Sequence, residues 1–125
     1  MEKSIKSYTD LDAWKKGREL TKNIYLLTSK FPKEEMFGLV SQMRRCSVSY
    51  TANIAEGHGR KTTPDTLHFL SISRGSLFEL ESHAYASFDV NYISKDELEN
   101  TLALIIECKK LINGLIRYFE TLRSS

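Results

Sequence analysis

The sequence predicts an all-α protein with the fold of an antiparallel up-down-up-down four-helix bundle. The first reason is that the 125 residues include only two prolines and six glycines, which leaves long windows without helix breakers. The second is that apolar residues recur at three- and four-residue steps within these windows, as on one face of a helix. The third is that only short turns separate the segments, and short turns join antiparallel neighbours. The length and the hydrophobic content of 41% fit a single domain spanning residues 1–125.

Signals in the local sequence predict the limits of the first two helices. Thr9 or Asp10 is expected to cap the first helix, since either side chain can accept a hydrogen bond from a free backbone N–H group. The helix should end at Phe31, because the residue before a proline is driven out of the α conformation. Gly57 and Gly59 are expected to stop the second helix. The expected limits are Thr9 or Asp10 to Phe31 for helix 1, and Lys33 or Glu34 to Glu56 for helix 2.

Similar signals define the third and fourth helices. Thr63 is expected to cap helix 3, with Pro64 in the first turn, where a missing N–H group has no cost. Ser94 and Glu97 have the spacing of a capping box at the start of helix 4. The pair Gly75 and Ser76 in mid-helix predicts a close helix–helix approach, because these residues otherwise weaken a helix. The expected limits are Thr63 to Phe88 for helix 3, and Ser94 to about Leu122 for helix 4.

Helix 2 has two parallel stripes of side chains. The apolar stripe should face the bundle core. The polar stripe beside it has glutamine, serine and asparagine in place of the lysines and glutamates usual on a solvated face, so we expect a hydrogen-bond network there. The apolar stripe consists of Leu39, Met43, Cys46, Tyr50 and Ile54, and the polar stripe of Gln42, Arg45, Ser49, Asn53 and Glu56.

Helix 4 has more apolar positions than one bundle core can cover. They form two sets on different faces, whereas a surface helix needs a single stripe. Apolar area of this kind usually marks an interface, so the sequence predicts an oligomer. The two sets are Leu98, Leu102, Ile105, Ile112, Ile116 and Phe119, and then Leu104, Cys108, Leu111, Leu115, Tyr118 and Leu122.

The sequence has no metal-binding or catalytic motif. Cys46 and Cys108 both fall within helical patterns and do not form a CxxC pair, so we expect two buried, reduced thiols and no zinc site. His68 and His83 are too far apart on one helix to share an ion. We therefore predict neither metal nor cofactor. The first residues contain no apolar signal segment, and no apolar run approaches the ~20 residues of a membrane span, so a cytoplasmic protein is expected.

Several blocks of sequence resemble a known family. The chain resembles the four-helix-bundle proteins of the 23S ribosomal RNA intervening-sequence type, the S23 family. The resemblance implies a homopentameric ring of bundles without enzymatic activity, and it supplies no catalytic residues. A similar fold serves as a nucleic-acid-binding accessory protein, so the resemblance also implies contact with RNA or DNA. One departure is Cys46, where family members often have alanine. The matching elements are Leu11–Lys15, Phe31–Glu35, Gly38–Leu39, Gln42–Arg45, Ser49, Asn53–Gly57, Gly59–Arg60, Phe69–Ser76 and Glu79–Glu81.

A set of charged and amide side chains on helices 2 and 3 is the first candidate site. The favoured interpretation is a structural ion-pair network between the two helices, because buried charges need partners. The alternatives are an anion or nucleic-acid site, and an enzyme that uses paired carboxylates as general acid and base. The set consists of Arg45, Asn53, Glu56, Arg74, Glu79 and Glu81.

The basic residues near the turn between helices 2 and 3 are the second candidate. In an up-down-up-down bundle, this turn shares an end with both termini, so the cations gather there, and acidic residues gather at the opposite end. A parallel ring would add these charges into a basic face able to contact nucleic-acid phosphates. The alternative is a protein–protein interaction module without nucleic-acid affinity. The expected contacts are Lys3, Lys6, Arg60, Lys61 and Arg123.

Overall fold

The computed structural model describes residues 6–124, and this range contains four α-helices and no β-strand. The predicted all-α class and the number of helices are therefore confirmed. Two short 3₁₀ turns and one π-helical turn complete the regular structure of the described range. The helices are α1 Asp12–Thr28, α2 Ser41–His58, α3 Thr63–Asp89 and α4 Lys95–Ser124.

The helices contact one another as the neighbours in a bundle do. Helix α2 packs against α1 and α3, and α4 packs against α3 and α1. Between α1 and α2, Ala13 contacts Tyr50, whereas Thr21, further along α1, bonds to the earlier residue Ser47. Contacting residue numbers thus rise in one helix and fall in the other. These contacts are consistent with the predicted bundle and support the up-down-up-down topology, which stays a prediction.

The core is apolar and contains both cysteines. Tyr50 is the largest of the fully buried side chains, and Gly17 of α1 lies against its ring. A Cβ atom on Gly17 would lie 2.6 Å from Cε2 of that ring, so glycine is required for this approach between α1 and α2. The fully buried apolar residues are Leu20, Ile24, Met43, Cys46, Tyr50, Ile54, Leu70, Leu77, Leu80, Ala84, Ile105, Cys108 and Ile112.

The start of α1 differs from the prediction. Neither Thr9 nor Asp10 caps it. Instead, Ser7 caps the 3₁₀ turn Tyr8–Asp10, and the Asp10 carboxylate accepts from the Ser7 N–H group to complete a capping box. Helix α1 follows one residue later, after Leu11, which has no side-chain cap. The capping signal was real, but it belongs to a short turn that precedes the helix.

The start of α2 is also different, because Gly38 interrupts the expected helix. Its backbone dihedrals, φ −111° and ψ −116°, are not helical, and the π turn Met36–Val40 separates the 3₁₀ turn Lys33–Glu35 from α2. The Glu35 carboxylate accepts hydrogen bonds from the Leu39 N–H group at 3.1 Å and the Tyr92 hydroxyl at 2.9 Å. A Cβ on Gly38 would lie 2.6 Å from Glu35 Oε1, so glycine leaves the room that this carboxylate needs.

Two predictions for α3 and α4 have opposite outcomes. The close approach predicted at Gly75 and Ser76 does not occur at Gly75, because a Cβ there would meet no atom within 4 Å. Its neighbour Ser76 is buried and donates to Ser49 Oγ across the α2–α3 contact at 2.9 Å. The capping box of α4 is confirmed. The Ser94 hydroxyl accepts from the Glu97 N–H group at 3.1 Å, and the Glu97 carboxylate accepts from the Ser94 N–H group at 2.9 Å.

Candidate functional site

The turn between α2 and α3 presents its two cations at the surface. Gly59 caps α2, and Thr62 caps α3 by accepting from the Asp65 N–H group at 3.3 Å, so Arg60 and Lys61 lie between two fixed helix ends. Both residues are exposed. Lys61 can therefore meet a phosphate from solvent without any rearrangement of the turn.

Arg60 is held by two contacts of its own. Its Nη2 lies 2.7 Å from Glu56 Oε2, one helical turn earlier, and its guanidinium stacks 4.5 Å from the centre of the Phe69 ring. The stacking orients the guanidinium, whereas the carboxylate neutralises part of its charge. A polyanion that binds Arg60 must therefore compete with Glu56.

The other predicted nucleic-acid contacts lie on neighbouring elements. Lys6 is exposed, and its main-chain N–H group donates to the Asp10 carboxylate at 3.1 Å. Arg123 is exposed in the last turn of α4. Lys3 lies outside the described residues.

An apolar groove of about 430 Å³ lies between the first turn of α1, the last turn of α2 and the C-terminal part of α4. Its lining residues are Leu11, Asp12, Ala13, His58, Leu111, Gly114, Leu115, Tyr118 and Phe119.

The six residues of the polar set do not form one continuous network in the described range. Arg45 contacts Glu79 across the α2–α3 interface and also donates to Gln42 at 2.9 Å. This pair is not shielded from water, since the two side chains are 52% and 41% exposed. Burial acts to raise the pKa of Glu79, but Arg45, Cys46 and His83 outweigh it, so the pKa is lowered overall.

The remaining members have partners outside the set or within their own helix. Arg74 donates to Asn113 Oδ1 on α4 at 3.1 Å, and within residues 6–124 it has no carboxylate partner. Glu81 accepts from Lys109 of α4 at 3.0 Å, and that ammonium group lies 4.0 Å from the centre of the Phe78 ring. Asn53 donates to the carbonyl oxygen and hydroxyl of Ser49 at 2.9 and 3.1 Å, and Glu56 pairs with Arg60. The expected pairing between helices 2 and 3 thus holds for Arg45 and Glu79, whereas Arg74 and Glu81 bond to α4 and Glu56 pairs within its own turn.

The structure also places three potential metal ligands close together, which the sequence analysis missed. The Cys46 Sγ, a carboxylate oxygen of Glu79 and a ring nitrogen of His83 all lie within 4.8 Å of one another. Cys46 is fully buried on α2, while the other two residues are partly exposed on α3. Burial, followed by the nearby Glu79 carboxylate, raises the pKa of the Cys46 thiol to about 12. The spacing Glu79–His83 is a usable signal, since residues four apart share a helix face, but nothing local indicates that Cys46 joins them.

A family model of known proteins matches most of the chain. It describes the 23S rRNA-intervening sequence proteins and matches residues 9–114. The chain belongs to this family. The S23-type resemblance noted in the sequence is thereby confirmed. No curated protein matches the chain in sequence.

A solved structure supports the fold of this member of the intervening-sequence family. It is a protein of unknown function from the S23 ribosomal protein family of Bacteroides thetaiotaomicron, with a TM-score of 0.74 and 22% sequence identity. The similarity covers 83% of this chain and 97% of the other. At this identity, the likeness shows the shared fold and not a shared activity. No helix among residues 6–124 is long and apolar enough to cross a membrane.

Proposed function

We propose that this chain is a non-enzymatic, oligomeric accessory protein that binds the phosphate backbone of RNA or DNA. The observation that best supports this proposal is the exposed pair Arg60 and Lys61, which lies on the turn between the capped ends of α2 and α3. The two caps fix the backbone on both sides of the turn, so less backbone entropy is lost when its cations bind a polyanion. The family takes its name from an intervening sequence of 23S rRNA, and it is the S23-type resemblance that implies a nucleic-acid partner.

Oligomer formation would strengthen this surface. The S23-type resemblance implies a pentameric ring, and rotational symmetry would repeat the basic turn five times around one face. A modest local charge then becomes an extended positive field, which attracts polyphosphate without reading base sequence. The apolar groove beside the C-terminal part of α4, together with half-exposed Tyr118 and Leu122, offers area for contacts between subunits.

A gel-shift assay at low salt tests the proposal. We expect wild-type protein to retard structured RNA or duplex DNA. The affinity should fall steeply as the salt concentration rises, because binding releases counterions from the nucleic acid and added salt opposes that release. The double variant Arg60→Glu/Lys61→Glu should lose binding. The matched control Lys33→Glu/Lys95→Glu makes the same change in charge at exposed positions elsewhere, near the starts of α2 and α4, and should keep binding. Absence of any shift by wild-type protein at low salt would overturn the proposal.

The second candidate is a protein–protein interaction module without nucleic-acid affinity. The observation that favours it is a cluster of exposed apolar residues before α2, where Phe37 is 92% exposed in the π turn and Met36 is half-exposed beside it. Solvent-exposed aromatic residues of this kind often anchor a partner. This candidate would replace the first if the wild-type protein binds no nucleic acid but retains a protein partner that Phe37→Ala releases.

A further inference from the structure

Three side chains from two helices form a cluster with the chemistry of a metal site. The Sγ atom of Cys46, a carboxylate oxygen of Glu79 and a ring nitrogen of His83 lie within 4.8 Å of one another. We propose that they form a binding site for a zinc-like divalent cation, which would join α2 to α3. This inference does not depend on the nucleic-acid proposal, since it concerns a different surface of the bundle.

The ligand types determine the class of cation. Sulfur and imidazole ligands favour zinc and similar borderline metals, whereas magnesium and calcium favour sites made of oxygen alone. Three protein ligands leave the fourth tetrahedral position open to water or another molecule. Glu79 and His83 are partly exposed, so an ion can reach the buried sulfur from their side.

The distances require only a small contraction. Metal–ligand bonds of about 2.0–2.3 Å in a tetrahedral zinc site place the ligand atoms roughly 3.3–3.8 Å apart. The Nε2 atom of His83 is already 3.4 Å from Oε2 of Glu79. The largest separation in the cluster, at most 4.8 Å, therefore needs to close by about 1 Å. The two α3 side chains can make this change by rotation, because neither is fully buried.

Arg45 occupies the position of a competing cation. Its guanidinium contacts the Glu79 carboxylate, and its Nη2 atom lies 3.7 Å from the Cys46 sulfur. The Arg45 side chain is half-exposed, so it can turn towards solvent when a metal ion takes its place. Its bond to Gln42, a residue of the same helix, does not tie it to α3. The metal ion and the Arg45 guanidinium would thus compete for the Glu79 carboxylate, which binds one of them at a time. A bound metal must also displace the thiol proton of Cys46, as it does at other cysteine ligands.

A titration of untagged, reduced protein with Co²⁺ tests the site. Cobalt reports sulfur ligation by a thiolate-to-metal charge-transfer band, and an added equivalent of Zn²⁺ should abolish that band. We expect the band in wild-type protein and its loss in Cys46→Ala. In Glu79→Gln and His83→Ala we expect affinity to fall at least about tenfold. The matched controls are Cys108→Ala, which removes the other buried thiol, and His68→Ala, which removes an exposed α3 imidazole; both should keep the band.

The variant Arg45→Ala provides the discriminating measurement. If Arg45 competes with the ion, its removal should tighten Co²⁺ binding by about tenfold or more, since a like charge at this distance repels the metal. Circular dichroism without metal checks that each variant is folded. Addition of Zn²⁺ should raise the Tm of wild-type protein and leave that of Cys46→Ala unchanged. A band that survives in Cys46→Ala, or no band in both wild-type and Arg45→Ala protein at a large excess of Co²⁺, would overturn the proposal.

Discussion

The hydroxyl group of Tyr50 on α2 donates a hydrogen bond of 2.9 Å to the main-chain carbonyl of Ala13 on α1. The same hydroxyl lies 3.4 Å from the carbonyl oxygen of Cys108 on α4, and the ring is fully buried. One side chain therefore joins three helices. Burial of the phenol also raises the pKa of Tyr50, so the group stays neutral.

Removal of this hydroxyl should destabilise the bundle without disturbing its packing. Tyr50→Phe keeps the ring but loses the hydrogen bond to Ala13, and we expect a loss of ~1 kcal/mol in the free energy of unfolding. Urea denaturation at fixed protein concentration measures it. Tyr85→Phe, which alters a half-exposed tyrosine on α3, is the control and should change little. Equal stability of the two variants would contradict the role of the Tyr50 hydroxyl.

Two glycine substitutions should act in opposite directions. In Gly17→Ala the new methyl group would lie 2.5 Å from Thr51 Cγ2 and 2.6 Å from the Tyr50 ring, so we expect a loss of ~2 kcal/mol. In Gly75→Ala the methyl group meets no atom within 4 Å, and better helix propensity should add ~0.5–1 kcal/mol. Thermal unfolding of both variants checks the pair. A stabilising effect of Gly17→Ala would show that α1 and α2 can separate without loss.

The structure changes the expected effect of Arg74→Ala. A carboxylate partner would have implied a loss of ~3 kcal/mol, because an unpaired buried charge is costly. The partner is the neutral amide of Asn113, so we expect a loss of only ~1–2 kcal/mol in the free energy of unfolding. A double-mutant cycle with Asn113→Ala isolates the interaction. Arg45→Ala, at an exposed ion pair, should lose less than ~1 kcal/mol.

The Glu97 carboxylate at the start of α4 should stabilise the folded state by an amount that depends on pH. The Lys30 ammonium, together with the Ser94 N–H group, lowers the pKa of Glu97. A carboxylate whose pKa is lower in the folded state stabilises the fold above its unfolded pKa, about 4.3 for glutamate, and this contribution is lost as pH falls through the folded value. Glu97→Gln should therefore lower stability at pH 7 and make it less sensitive to acid below pH ~4.3.

A second substitution in the same capping box serves as the control for Glu97→Gln. Ser94→Ala removes a hydroxyl cap that does not itself titrate, so it should lower stability by ~1 kcal/mol and keep most of the wild-type pH dependence, because Lys30 and the Ser94 N–H group still lower the pKa of Glu97. Unfolding curves recorded between neutral and acidic pH compare the two variants. Identical pH profiles for Glu97→Gln and wild-type protein would rule out the Glu97 contribution.

The ion pair beside the basic turn should restrain nucleic-acid binding. Glu56 neutralises part of the Arg60 charge, so Glu56→Gln should strengthen binding of RNA or DNA several-fold at low salt. The stacking of Arg60 on Phe69 should keep the guanidinium oriented in the variant. Fluorescence anisotropy with a labelled RNA hairpin measures the change. Weaker binding by Glu56→Gln would show that the carboxylate orients Arg60 and does not compete for it.

Features that depend on neighbours within one helical turn could be predicted from the sequence. The capping box of Ser94 and Glu97 is one example, because both hydrogen bonds join residues three positions apart. The all-α class is another, since the spacing of apolar residues reports directly on helical periodicity. The family could also be identified from short blocks such as Asn53–Gly57. In contrast, the break at Gly38 was not predicted; the Glu35 carboxylate beside it accepts a hydrogen bond from Tyr92, which lies 57 residues further along the chain.

The partners of those polar side chains that bond from one helix to another were decided by the tertiary structure alone. The sequence determined that Arg45 and Arg74 lie on helices and need hydrogen-bond acceptors, but it did not determine which acceptors. Arg74 bonds to Asn113, 39 residues later, and the Cys46 sulfur lies within 4.8 Å of a ring nitrogen of His83 on another helix. Such contacts depend on how far each helix rotates and slides when the core packs. Helix rotation and register are properties of the assembled bundle, and no local sequence rule contains them.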